Sequence, residues 1–76
     1  MNGTIAPGKI KVVFNQGVGR GKASRLIKSY GLRVIQFERV GFKPGFTVQV
    51  DVGKENDWKK TFEAIDLVRY TEPIIE

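Results

Sequence analysis

Hydrophobic and polar residues alternate along two segments of the chain, and each alternation predicts a β-strand with one apolar face. The segments are KIKVVFN at residues 9–15 and FTVQVDV at residues 46–52. The inward-facing residues of the second segment are expected to be Phe46, Val48, Val50 and Val52. A further segment, LVRYTE at residues 67–72, is predicted to be the last strand, because Pro73 after it cannot donate a ladder hydrogen bond.

The segment LRVIQFERV, residues 32–40, is rich in β-branched and aromatic residues and is also predicted to be a strand. Both of its alternating sets are apolar, so the sequence leaves open which set is buried. If Leu32 and Val34 face the core, then Ile35 and Phe37 lie exposed on the other side of the sheet. In the alternative register, Ile35 and Phe37 are buried instead.

Two segments have the three- and four-residue spacing of apolar positions that predicts an amphipathic helix. In the first, the apolar positions are Ala23, Leu26, Ile27 and Tyr30. Gly31 follows, where a left-handed residue commonly ends a helix. In the second, residues 54–65, Glu55 and Asp57 lie in the first turn, where acidic side chains are favourable against the helix dipole. Its apolar positions are Trp58, Phe62 and Ile65.

The elements occur in the order βαββαβ, which is typical of the ferredoxin-like α+β fold. Right-handed crossovers in this order place both helices on one face of a four-stranded antiparallel sheet. The other face of the sheet is then open. We predict one domain over residues 9–72, preceded by a flexible segment at residues 1–8 and followed by a short tail at residues 73–76.

The composition limits the chemistry of the chain. Its 76 residues include no Cys and no His, which excludes disulfides, thiolate or imidazole nucleophiles and ordinary zinc sites. The carboxylates are spread over predicted exposed faces, whereas an acid–base pair needs burial or a close partner to separate its two pKa values. We therefore expect no catalytic residues, no metal and no cofactor, and a protein that is not an enzyme. Neither a signal-peptide pattern nor an apolar run of roughly 20 residues occurs, so we expect a soluble, cytoplasmic protein that does not bind membranes.

Positive charge is concentrated in the first part of the chain. Residues 1–43 contain nine Lys or Arg and one acidic residue, a balance of +8. Residues 44–76 contain four Lys or Arg and seven acidic residues, a balance of −3. A basic half could bind nucleic acid or an acidic protein surface. The alternative is that these side chains are simply solvated by water on exposed faces and bind no partner.

The glycine-rich segment NQGVGRGKASR, residues 15–25, leads from the first strand into the first helix. A phosphate-binding P-loop requires G-x-x-x-x-G-K-[ST], but Gln16 stands where the first Gly is needed and Ala23 where the hydroxyl residue is needed. We interpret the segment mainly as a flexible connection. Backbone N–H groups at the helix start could still attract an anion, and the candidate anion-binding residues are Arg20, Lys22 and Arg25.

RNA-recognition domains share this element order and stack bases on aromatic residues of the open sheet face. Their third strand has the pattern K/R-G-F/Y-G/A-F-V-x-F/Y. Here KPGFTVQV, residues 43–50, offers only Phe46, which shares its face with the core valines. Nucleic-acid binding through the basic residues is therefore kept as the alternative function.

Four further features resemble the propeptides of subtilisin-like serine proteases, a family of intramolecular chaperones and protease inhibitors. They are the opening IKVVFNQG, the YGLRVIQF after the first helix, the apolar strand FTVQVDV and the closing V-x-Y-x-E-P. The resemblance covers about residues 9–73, and V-x-Y-x-E is its most specific part. It implies a protein-binding domain that inhibits a subtilisin-like protease or assists its folding.

In this family the open sheet face packs on two surface helices of the protease, an acidic residue caps the N-termini of those helices, and the tail lies in the active-site cleft like a substrate. The resemblance places Glu72 in the capping role. The face expected to dock carries Lys11, Val13, Thr47, Gln49, Asp51, Arg69 and Thr71. The complete set of predicted partner-binding residues is Val13, Ile35, Phe37, Arg69, Thr71, Glu72, Pro73, Ile74, Ile75 and Glu76. Fewer residues follow Pro73 than in the family's tails. The resemblance therefore implies the docking surface more strongly than it implies inhibition at the active site.

Overall fold

A computed structural model describes residues 4–75 of the chain. Its elements are β1 (Ile5–Phe14), α1 (Arg20–Ser29), β2 (Arg33–Val40), β3 (Lys43–Gln49), α2 (Glu55–Glu63) and β4 (Val68–Ile75). The strands form one sheet in the order β2-β3-β1-β4, and each neighbouring pair is antiparallel. This arrangement confirms the predicted ferredoxin-like α+β fold.

The core lies between the sheet and the two helices. Alternate residues of the central strands point to one side, where Val12 is opposite Phe46 and Ile10 is opposite Val48. These side chains pack with Phe62 of α2 and with two residues of α1, and all of them are buried. The α1 residues are Ala23 and Ile27. Because both helices cover the same set of strand residues, they lie on one face of the sheet, as predicted.

The inward position predicted for Val52 is wrong. β3 ends at Gln49, and Val52 lies in the turn that follows, where its side chain is 75 % exposed. Gly53, the other residue of this turn, has a φ of +93°, which glycine adopts without steric cost. The other three inward predictions, for Phe46, Val48 and Val50, are confirmed by their burial.

The first and last strands are longer than the sequence indicates. β1 begins at Ile5, before the predicted start at residue 9, and β4 continues to Ile75, which is opposite Ile5. Gly8, with a φ of +75°, lets β1 bend and continue, and its carbonyl accepts a hydrogen bond from the Val50 N–H (2.8 Å). Residues 5–8, expected to be flexible, and residues 73–75, expected to be a tail, are therefore parts of strands. Glu76 lies outside the described residues.

A β-bulge in β2 resolves the question of which residues of this strand face the core. Val34 is opposite Val48 and Phe37 is opposite Phe46, so both lie on the helix-covered side, and Ile35 is the extra residue between them. The Phe37 ring lies 5.1 Å from the Phe46 ring, edge to face. The prediction that Phe37 lies on the open face is wrong, because the bulge changes the alternation within the strand.

A second irregularity has the same effect in β4. Phe14 is opposite Val68, whereas Val13 is opposite Tyr70, so Arg69 is an extra residue. Beyond it, Thr71 points to the helix-covered side, where it is only 6 % exposed and its hydroxyl donates to Glu63 Oε2 (2.9 Å). The predicted open-face position of Thr71 is therefore wrong, while Arg69 is exposed within the bulge. Tyr70 and Glu72 lie on the open face instead, Tyr70 opposite Val13 and Glu72 opposite Lys11.

The helix boundaries agree with the sequence pattern. α1 ends before Gly31, whose φ of +77° confirms the left-handed position predicted for it, and the Gly31 N–H donates to the Lys28 carbonyl (2.9 Å). In α2, Phe62 is fully buried, while Trp58 is partly buried against the core. The ring of Tyr30, at the end of α1, lies 5.7 Å from that of Trp58 and connects the two helices. Over residues 4–75, neither helix has the length and apolar content needed to cross a membrane.

Candidate protein-binding face

The face of the sheet opposite the two helices is here called the open face. Pairing across the strands assigns to it Lys9, Lys11, Val13, Arg33, Gln36, Glu38, Val40, Lys43, Gly45, Thr47, Gln49, Tyr70 and Glu72. Neither of the described helices packs on these residues. The open face is therefore a mixed polar and apolar surface formed by all four strands.

Val13 lies at the centre of the open face, yet its side chain is 0 % exposed. Its neighbour on β3 is Gly45, and a Cβ added there would lie 2.8 Å from the Glu38 carbonyl oxygen. The same Cβ would lie 3.3 Å from Val40 Cγ2 and 3.6 Å from Val13 Cγ2. The two valines thus pack over a backbone that only glycine allows, and Val13 serves as the base of a small apolar cluster. The more accessible members beside it are Val40 and Tyr70, which are half-buried.

The Lys11 ammonium group lies between two carboxylates, one from each edge strand of the sheet. Its Nζ lies 3.7 Å from Glu38 Oε1 on β2 and 3.9 Å from Glu72 Oε1 on β4. The Lys11 side chain is 19 % exposed, whereas both carboxylates are well exposed. Two carboxylates around one ammonium give this part of the face a balance of −1, although Lys11 belongs to the basic half of the sequence.

The last predicted binding residues are held in the sheet. Pro73 is opposite Ile10 and Ile75 is opposite Ile5, so this part of β4 does not project as a tail. Ile74 is half-buried and Ile75 is exposed. Ile35, in the β2 bulge, is 44 % exposed and adds apolar surface at the other edge of the sheet.

The candidate anion-binding residues at the start of α1 have separate surroundings. The Arg20 guanidinium lies over the Phe37 ring, 4.1 Å from its centroid. The Arg25 side chain reaches back along the helix, because a Cβ added to Gly21 would lie 3.5 Å from Arg25 Nη1. Lys22 is exposed. The N-cap residue Gly19 provides no side-chain acceptor for the first turn.

Glu55 has a structural role that its position in the sequence does not reveal. Its carboxylate accepts the Gly8 N–H at Oε2 (2.7 Å) and the Gly53 N–H at Oε1 (2.8 Å). The hydrogen bond from Gly8, more than the other contacts, lowers the pKa of Glu55 below its usual value. The position of Glu55 in the first turn predicts only that it favours the start of the helix. Its hydrogen bond with Gly8 could not be predicted, because the two residues are 47 positions apart and no local pattern pairs them.

Comparison with known sequences adds no relative. No protein-family model matches the chain, and the search of curated proteins found no significantly similar sequence. The resemblance to subtilisin propeptides therefore rests on the motifs described above.

Proposed function

We propose that this chain is a non-enzymatic protein-binding domain that docks on a subtilisin-like serine protease through its open face and inhibits the protease or assists its folding. The observation that carries the proposal is the composition of the open face. It combines an exposed carboxylate at one edge, Glu72, with a half-buried apolar cluster that includes Val40 and Tyr70. This combination suits a partner surface that presents helix N-termini beside apolar side chains.

The position of Glu72 supports a capping role. Helix N-termini carry unpaired N–H groups and a partial positive charge, and a carboxylate satisfies both. In the free domain Glu72 lies 3.9 Å from Lys11, which also has Glu38 at 3.7 Å. Glu72 can therefore turn towards a partner helix while Lys11 keeps its contact with Glu38, so docking does not leave the ammonium group unpaired.

Tyr70 is the aromatic residue on the open face, where the sequence suggested Phe37. It lies opposite the fully buried Val13, and its side chain remains partly accessible. Aromatic residues with a polar end contribute strongly to protein interfaces, because a large apolar area and a hydroxyl group act together. Phe37, by contrast, is engaged on the other side of the sheet.

Docking and active-site inhibition make different demands on the structure. Docking uses side chains that already lie on the open face. Entry of residues 73–76 into a substrate cleft requires the end of β4 to separate from β1, because Ile75 pairs with Ile5. We therefore place docking first in the mechanism, and inhibition after local opening of this strand end.

The test is an assay of the purified domain with several subtilisin-like proteases. We expect slower hydrolysis of a peptide substrate, or a higher yield of active protease on refolding from acid. A variant with a few residues added after Glu76 should inhibit more strongly if tail length limits cleft binding. The proposal is wrong if neither the native domain nor the extended variant changes the rate of hydrolysis or the refolding yield of any of the proteases.

A further inference from the structure

Strand β2 forms one edge of the sheet, and its outer side is accessible. It has neighbours only on the β3 side, and none of its eight residues is fully buried. Alternate N–H and C=O groups of an edge strand point away from the sheet and can pair with another extended chain. The other edge strand, β4, contains Pro73, which cannot donate such a bond. β2 is therefore the edge better suited to strand addition.

The β2 edge is also cationic. Arg33 and Arg39 lie on this strand, and Arg20 of α1 reaches it by packing over Phe37. Arg39 lies near the same ring, with its guanidinium carbon 5.6 Å from the centroid. Across the described residues, none of these three arginines forms an ion pair with a carboxylate. Glu38, the acidic residue of β2, is directed to Lys11 on the open face.

This charge pattern indicates which kind of chain can bind along the β2 edge. A second copy of the chain would bring its own Arg20 and Arg39 to the same edge, and like charges across paired strands are destabilising. Single-stranded nucleic acid stacks successive bases on several aromatic rings. At this edge the Phe37 ring is covered by Arg20 and packed edge to face on Phe46, which leaves Phe42, in the turn after β2, as the exposed aromatic side chain. An extended segment with acidic side chains satisfies both the backbone groups and the arginines.

We propose that β2 is a docking edge for an extended acidic segment of a partner protein, which adds to the sheet as a fifth strand. Its backbone would pair with the outer groups of β2, and its carboxylates would contact Arg39 and Arg20 on the helix-covered side. This interaction uses the edge of the sheet and leaves the open face accessible. It is therefore independent of the proposed protease docking, and the two tests can fail separately.

The probe is a short peptide in which Glu alternates with Val, titrated into the isotopically labelled domain and followed by NMR. We expect shift changes and slower amide exchange along β2, and none along β4. A peptide with Lys in place of Glu should not bind. Arg39→Glu should weaken binding of the acidic peptide by about tenfold, because an attractive cross-strand pair becomes a repulsive one. The matched control, Arg25→Glu on α1, should change it far less.

Backbone pairing is tested by two further peptides, N-methylated at one or the other alternate set of residues. Only one set faces β2, so we expect one peptide to lose binding and the other to keep it. Equal binding of both would mean that the contact is electrostatic only and would overturn strand addition. Tighter binding of a single-stranded RNA at the same arginines, or dimerisation of the free domain through β2, would also overturn the proposal.

Discussion

Glu55 shows how one side chain can join distant parts of so small a domain. Its carboxylate accepts N–H groups from Gly8 in β1 and from Gly53 just before α2. These contacts fix the bend of β1 against the start of the helix, and both favour the ionised form of the carboxyl group. The lowered pKa of Glu55 is thus a property of the folded state, which the unfolded chain lacks.

Glu55 should make the stability of the domain depend on pH. Because its pKa is lower in the folded state, its contribution is complete above the ordinary Glu pKa of about 4.3 and is lost as the pH falls through the lowered value. Urea denaturation at neutral and acidic pH should therefore show a smaller acid loss for Glu55→Gln than for the native chain. Asp57→Asn removes a first-turn charge and an exposed contact with Lys54 (4.0 Å) but neither hydrogen bond of Glu55, and should keep most of the native acid loss. An unchanged acid loss in Glu55→Gln would contradict this role.

Two glycines should respond to alanine with opposite signs. At Gly45 the new Cβ would lie 2.8 Å from a backbone oxygen, so the strands must shift, at a cost of about 1–3 kcal/mol. At Gly21, in α1, the nearest atom would be the mobile end of Arg25 at 3.5 Å, and alanine should stabilise the helix by up to about 1 kcal/mol. Urea denaturation of both variants measures the difference. A Gly45→Ala domain as stable as the native one would show that the valines do not pack over this backbone.

At the scale of elements, the order and type of strands and helices follow from periodicity, but the faces of the edge strands do not. β1 and β3 alternate regularly after Gly8, so their core residues are evident in the sequence. In β2 and β4, one extra residue in each strand, Ile35 and Arg69, reverses the alternation. Such bulges depend on pairing with a neighbouring strand, and no local pattern in β2 or β4 marks their positions. Of the apolar residues predicted for the binding face, Val13 therefore lies on the open face and Phe37 does not. Glu72, the predicted capping residue, lies on the open face.

The β2 bulge predicts different roles for two neighbouring apolar residues. Phe37→Ala should reduce the free energy of unfolding by roughly 2–3 kcal/mol, below the usual cost for a fully buried Phe, because Phe37 is half-buried against Phe46. Ile35→Ala should cost less than about 1 kcal/mol, because Ile35 is 44 % exposed. Thermal and urea denaturation of the two variants provide the comparison. A larger loss for Ile35→Ala would place the bulge elsewhere in β2.

At the scale of the whole molecule, charge and binding surfaces do not follow the two halves of the sequence. The basic first half contributes arginines to α1 and the β2 edge, whereas the only ammonium group at the centre of the open face, Lys11, is neutralised by Glu38 and Glu72 within the described structure. The fold thus separates Arg20 and Arg39, at the β2 edge, from the part of the open face where Glu38 and Glu72 lie beside the apolar cluster. Two partners of different chemistry could bind such a molecule without competing for the same residues.

The central claim is that the open face docks on a subtilisin-like protease. The most direct measurement is titration calorimetry of the domain with such a protease whose nucleophilic serine has been replaced, so that the domain is not cleaved. We predict binding that Glu72→Gln weakens by up to roughly thirtyfold, since a carboxylate at helix N-termini contributes up to about 2 kcal/mol. Tyr70→Ser should weaken binding more, with folding checked by its thermal transition, while Asp57→Asn on α2 should leave it unchanged. No binding to several such proteases, or equal effects of Asp57→Asn and Glu72→Gln, would contradict the account.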